Sequence, residues 1–169
     1  MEKARPLTIR IKKNADGRTS LSCVRPDGTT TWQRQEGRQA AFFPRHDLTH
    51  YAVETVFGHT QAFYGLVAAG WEFSDFGNPW PRGRLPMEAN VSERIVGFLD
   101  LERGSGELGR ADDLNALLKE FCDGESASAP PPISDYDLNR VRQMRGELFS
   151  RWDAVAPGDA LELAFPPHI

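Results

Sequence analysis

The sequence predicts an α+β fold in which a small antiparallel sheet is covered by about five helices. Segments in which apolar and polar residues alternate stand near both ends of the chain, turn sequences separate the N-terminal ones, and apolar residues at helical spacing fill the middle. The chain has 169 residues, of which 40% are hydrophobic and 26% are charged. This composition is typical of a globular protein, and we expect a single domain over residues 1–169.

The sheet is predicted to combine an N-terminal three-strand meander with one C-terminal strand. In Leu7 to Lys13 every second residue is apolar, as in a strand with one buried face. Two β-prone runs follow at 21–24 and 29–32, and a turn sequence that contains Asp and Gly precedes each of them. The alternating segment 160–165 has no other strand to pair with, so we expect it to join the N-terminal sheet.

The helices are predicted from apolar residues that recur every three or four positions. Pro44 suits a first helical turn, so the first helix is placed from about Pro44 to Phe57. The next segment continues this helix or folds back as a hairpin. The predicted helical segments after Phe57 are Thr60–Ala69, a stretch around Val91–Leu99, a stretch around Leu114–Phe121, and about twenty residues after Ser134.

The segment from Trp71 to Pro86 is rich in both aromatic residues and helix breakers. It contains Phe73, Phe76 and Trp80 among several glycines and prolines. We predict a packed loop without regular structure, which seals the core or closes over a pocket as a lid.

Charge and cysteine content exclude several classes of function. A formal net charge of −4 argues against general binding to nucleic acid or to an anionic membrane. The apolar stretches are too short to span a bilayer, and the charged N-terminus shows no secretory signal, so a cytoplasmic location is expected. Cys23 and Cys122 form no CxxC pair, which argues against a disulfide framework and a cysteine zinc site.

One group of residues in the first helix has the spacing of a metal site. His46 and His50 are four residues apart, so their side chains lie on one helix face and can share one ion. Imidazole nitrogens suit a divalent metal such as zinc, nickel, manganese or iron. Glu54 is next on this face, and we expect it to act as a third metal ligand, an outer-shell partner or a base. The candidate catalytic residues are Asp47 and Glu54.

The segment His46-Asp47-x-x-His50 also resembles two known metal motifs. It is similar to the zincin motif H-E-x-x-H, with Asp47 in place of the glutamate, and to the H-D-x-x-H zinc-ligand motif of a family of ubiquinone-biosynthesis proteins. These resemblances imply that His46, Asp47 and His50 take part in metal binding. They cover five residues, and the second family has glycine where this chain has Glu54, so neither family is assigned.

A purely structural explanation of the same residues is open as well. In a helix that starts near Pro44, Asp47 would lie in the first turn, where a carboxylate interacts with the positive end of the helix dipole. The histidines would then lie on a solvated face. Apolar residues surround the polar stripe, however, and this favours a stripe that faces a cleft. The stripe consists of Asp47, His50, Glu54, Gly58, Gln61 and Gly65.

Other polar residues are weaker candidates. His59 is expected to interact with a helix end, and His168 lies in a proline-containing tail. Asp75 and Glu93 could complete a metal site, although their spacing does not select them. Arginines in the last helix suggest either a phosphate-binding stripe or a solvated face, and acidic residues between them favour the solvated face. These arginines are Arg140, Arg142, Arg145 and Arg151.

The sequence therefore predicts a metal-dependent hydrolase or lyase that acts on a small molecule. The alternative is a non-enzymatic domain that binds a small ligand or another protein, in which the histidines only form hydrogen bonds.

Overall fold

The computed structural model describes residues 5–78 and 82–166. Its strands and helices follow one another as β1 (Leu7–Lys13), β2 (Thr19–Val24), β3 (Thr30–Gln35), α1 (Gly37–Phe57), α2 (Phe63–Ala68), α3 (Phe73–Gly77), α4 (Met87–Ser105), α5 (Ala111–Gly124), α6 (Asp135–Asp153) and β4 (Ala160–Phe165).

The four strands form one antiparallel sheet in the order β3-β2-β1-β4. The last strand pairs with the first, with Leu7 opposite Phe165 and Ile11 opposite Leu161. The apolar residues of β1 are buried under the helices, and the side chains between them point to the other, more exposed face. This arrangement confirms the predicted meander, the predicted pairing of the C-terminal strand and the α+β class.

Helix α1 begins seven residues before the predicted start, so Pro44 lies inside it rather than in its first turn. A proline at such a position lacks a helical N–H donor and typically costs about 3 kcal/mol. Packing favours the longer helix nonetheless, because both Ala40 and Pro44 are buried. One consequence concerns Asp47, which is the eleventh residue of the helix. An interaction with the N-terminal dipole, which is confined to the first turn, therefore does not explain this buried carboxylate.

The helix ends at Gly58, and α2 is a separate short helix. Gly58 has a φ of 65° and donates its N–H to the carbonyl of Glu54. Gly65 approaches the backbone of Thr60 so closely that a Cβ atom would lie 2.0 Å from its carbonyl oxygen. The two glycines of the predicted stripe thus permit a tight turn rather than leave room for a ligand, and Gln61 is exposed.

The aromatic segment after Trp71 is not wholly irregular, contrary to the sequence prediction. A short helix, α3, forms because Glu72 accepts from the backbone of Asp75, and Asp75 accepts from the backbone of Glu72. Trp80, which was predicted to belong to this segment, lies outside the described residues.

Helices α4, α5 and α6 occupy the positions predicted for the last three helices, and Ser134 caps α6 by accepting from the N–H of Asp137. Two arginines of α6, Arg142 and Arg145, do not lie on a solvated face, because both contact the buried carboxylate of Glu102 in α4. Cys23 and Cys122 are buried and unbonded. Within the described ranges, no helix combines the length and apolarity needed to cross a bilayer.

Candidate metal centre

A cleft of about 540 Å³ opens beside the middle of α1. Helix α1 supplies one side, α4 supplies the opposite side, and the segment that contains α2 and α3 forms an aromatic wall. Polar and apolar side chains alternate around the cleft: Gln33, Phe43, His46, Asp47, His50, Phe63, Phe73, Phe76, Leu85, Asn90 and Glu93 line it, together with Gly77 and Ala89.

Three potential metal ligands meet in this cleft. The ligand atoms of His46, His50 and Glu93 all lie within 4.8 Å of one another. The Nε2 atom of His50 is 2.9 Å from Glu93 Oε2, and the Nε2 atom of His46 is 3.8 Å from Glu93 Oε1. Both imidazoles are well buried, whereas the side chain of Glu93 is 57% exposed and is free to adjust. The first of these distances is shorter, and the second longer, than the separation of about 3.4 Å between two ligand atoms of a tetrahedral zinc.

Each histidine has a second carboxylate on its other ring nitrogen. His46 Nδ1 lies 2.6 Å from Asp100 Oδ2, and His50 Nδ1 lies 3.5 Å from Glu54 Oε2. A carboxylate that orients the far nitrogen of a ligating imidazole is the usual second shell of a histidine metal site. Of the two contacts, only that between His46 and Asp100 is a hydrogen bond, whereas His50 Nδ1 and Glu54 Oε2 lie too far apart for one.

The charges of this group are strongly coupled. Burial alone would lower the pKa of His50, but its contacts with Glu54 and Glu93 outweigh burial and raise the pKa to about 10. Burial works against ionisation of Glu93, yet the nearby His50 and His46 hold its pKa below the ordinary value. The contact between the two residues thus favours a protonated His50 and an ionised Glu93, and a cation held by both would replace the proton of His50 on binding.

Glu54 does not belong to the group of three potential metal ligands. Its side chain is almost completely buried, and its Oε1 accepts from the backbone N–H of Tyr64 at the start of α2. Burial raises its pKa, although His50 and the N–H of Tyr64 counteract this. Of the three roles predicted for Glu54, the geometry fits the outer-shell partner, and Glu93 provides the carboxylate of the ligand group instead.

Asp47 lies between the two histidines in sequence and lines the same cleft. It is 3% exposed, and its Oδ2 atom has no hydrogen-bond partner within the described part of the chain. Burial raises the pKa of Asp47 to about 8, even though the nearby His50 lowers it. The side chain is thus a buried acid beside the potential metal ligands.

The aromatic wall is held by a buried arginine that the sequence analysis did not identify. Arg25, at the end of β2, donates to the carbonyls of Val67 and Trp71 at 2.7 and 2.6 Å, and it also pairs with Glu72. These bonds attach the segment around α2 and α3 to the sheet. They fix Phe63, Phe73 and Phe76 opposite the histidines.

The structure brings together His46, His50 and Asp47, as the spacing in α1 predicts, and it adds Glu93 from α4. A signal for Glu93 exists in the sequence, because Glu93 and Asp100 are seven residues apart and therefore share one face of α4. His59 lies in a second, smaller cleft beside Ile133, and Asp75 belongs to the cap of α3. His168 lies outside the described residues.

Comparisons of the chain with protein-family models, with curated proteins and with solved structures found no match.

Proposed function

We propose that this protein is a metal-dependent hydrolase or lyase for a small molecule, with a divalent metal such as zinc held by His46, His50 and Glu93. The observation that carries the proposal is the convergence of these three side chains within 4.8 Å in a cleft. Two imidazoles and one carboxylate form a common ligand set of catalytic zinc and of non-haem iron, and such a set leaves coordination positions open.

A metal in this position would polarise a carbonyl group or activate water. The residues of the chain have separate tasks around it. Glu54 and Asp100 orient the imidazoles, and they act through His50 and His46 rather than on the substrate. Asp47 lines the cleft, its buried Oδ2 has no partner within the described residues, and it is our candidate for accepting a proton from the reacting molecule or returning one to it.

The rival function is a ligand-binding domain in which the histidines only form hydrogen bonds. It is favoured by the observation that His46 Nδ1 and His50 Nε2 both lie within hydrogen-bond distance of a carboxylate in the protein itself. These two contacts do not require a metal. Metal occupancy therefore separates the two functions.

The test is elemental analysis of protein purified without a histidine tag, after zinc, iron(II), manganese and nickel are offered separately. We expect about one ion per chain in the wild type. The variant His46→Ala/His50→Ala and the variant Glu93→Gln should lose it. The matched control is His59→Ala, which removes a histidine outside the ligand group and should bind metal normally.

Cobalt(II) substitution adds a spectroscopic measurement, because the intensity of the visible absorption bands reports the coordination number. Equal metal content in the wild type and in both ligand variants, or no metal in any of them, would exclude the proposed site. In that case the ligand-binding domain becomes the better explanation.

A further inference from the structure

The cleft next to the histidines combines an aromatic wall with carboxylates. Phe63 contacts both Phe73 and Phe76, with ring centroids 5.6 and 4.8 Å apart. Asp47 lines the same cleft and presents an oxygen without a partner, and Glu93 lies at its more exposed side. No lysine or arginine is found among the lining residues that the structure describes.

These features favour a positively charged ligand over a negatively charged one. A buried carboxylate oxygen without a donor costs free energy, and a ligand that donates to it recovers this free energy. The aromatic faces attract a cation through their quadrupoles. An anion would meet the carboxyl groups of Asp47 and Glu93 and no lysine or arginine, and the imidazole of His50 is already paired with Glu93.

We propose that the cleft binds a small organic cation, a primary amine with an aromatic or apolar group. Its ammonium group donates to Asp47 Oδ2, and its apolar group lies against Phe63, Phe73 and Phe76. The cleft volume of about 540 Å³ fits a small molecule of this kind.

This inference rests on the proposed function, because it names the substrate class for the same cleft. It uses different side chains, however. The metal would be bound by His46, His50 and Glu93, whereas the amine is recognised by Asp47 and the aromatic wall. The two proposals can therefore fail independently.

The experiment compares three probes of nearly equal shape: benzylamine, benzyl alcohol and benzoate. Binding is measured by calorimetry at neutral pH, with chelator present so that no metal contributes. We expect benzylamine to bind roughly ten-fold or more tightly than benzyl alcohol, because one charged hydrogen bond replaces a neutral one. Benzoate should show no binding at the same concentrations.

Two variants identify the groups responsible. Asp47→Asn keeps the shape of the side chain and should bring the affinity ratio of benzylamine to benzyl alcohol close to one. Phe76→Ala removes part of the wall and should weaken both probes while it preserves their ratio. Glu93→Gln is the control, since it should lose the metal and retain the preference for the amine.

Three results would overturn the proposal. The first is benzoate binding as tightly as benzylamine, and the second is an unchanged ratio in Asp47→Asn. The third is amine binding only in the zinc-loaded protein, which would show that the metal rather than Asp47 holds the amine. Amine binding in chelator without any metal in the elemental analysis would support this inference and refute the metal site.

Discussion

Replacement of Glu54 by leucine tests whether this buried carboxylate stabilises the folded protein in addition to contacting the candidate site. Its Oε1 accepts from the N–H of Tyr64 at 2.9 Å, and both groups are buried. A leucine would leave that N–H without an acceptor, which costs about 1–3 kcal/mol. For a domain of this size each kcal/mol lowers Tm by about 2–4 °C, so a decrease of roughly 2–12 °C is expected.

The measurement is a thermal melt followed by circular dichroism in the presence of chelator, so that metal linkage does not contribute. Glu54→Gln keeps an acceptor for Tyr64 and should lose less stability than the leucine variant. Glu88→Leu is the matched control, because Glu88 in α4 accepts from the backbone N–H of Thr60, just before α2, in a hydrogen bond that is exposed. That variant should change stability by less than about 0.5 kcal/mol.

A Glu54→Leu protein that melts at or above the wild-type temperature would refute this reasoning. That result would be expected if Glu54 were kept only for a ligand, because polar groups of that kind often destabilise the empty fold.

Three further predictions concern the metal, the sheet and the second cleft. Zinc at one hundred times its dissociation constant should raise the free energy of unfolding of the wild type by about 2.7 kcal/mol and should not change that of His50→Ala. Equal zinc-induced Tm shifts in the two proteins would contradict the metal site. Deletion of residues 158–169 removes three buried residues of β4, each worth about 1.5–3 kcal/mol, and a truncated protein with the wild-type melting curve would contradict the role of this strand in the core. Burial lowers the pKa of His59, so its contribution to stability is complete above about pH 6.5 and is lost as the pH falls below that value. His59→Gln should therefore show a smaller loss of stability in acid than the wild type, and parallel pH profiles would contradict this.

The sheet could be predicted because its signal is local. Alternation in Leu7 to Lys13 reports one buried face directly, and the strand at 160–165 had no competing partner. The start of α1 could not be placed in the same way. Pro44 carries a strong local preference for a first turn, and burial of Ala40 and Pro44 in the folded protein overrides it.

The candidate site was predictable only where it lies within one helix. His46 and His50 share a face because of helical geometry alone, whatever the rest of the chain does. Glu93 belongs to another helix, and its approach depends on how α1 and α4 pack against each other. Nothing in the residues around position 46 encodes that packing, so spacing within α1 offered Glu54 as a possible third ligand and could not select Glu93.

The attachment of the aromatic wall through Arg25 has a consequence for how this protein can change. Helices α2 and α3 have six and five residues, too few to be stable alone, so Arg25 and the sheet determine where their phenylalanines stand. The potential metal ligands belong to α1 and α4. Under the proposed function, specificity and reactivity would be encoded in separate parts of the chain, and substitutions in residues 63–77 would alter which molecule is accepted and leave the chemistry between α1 and α4 in place.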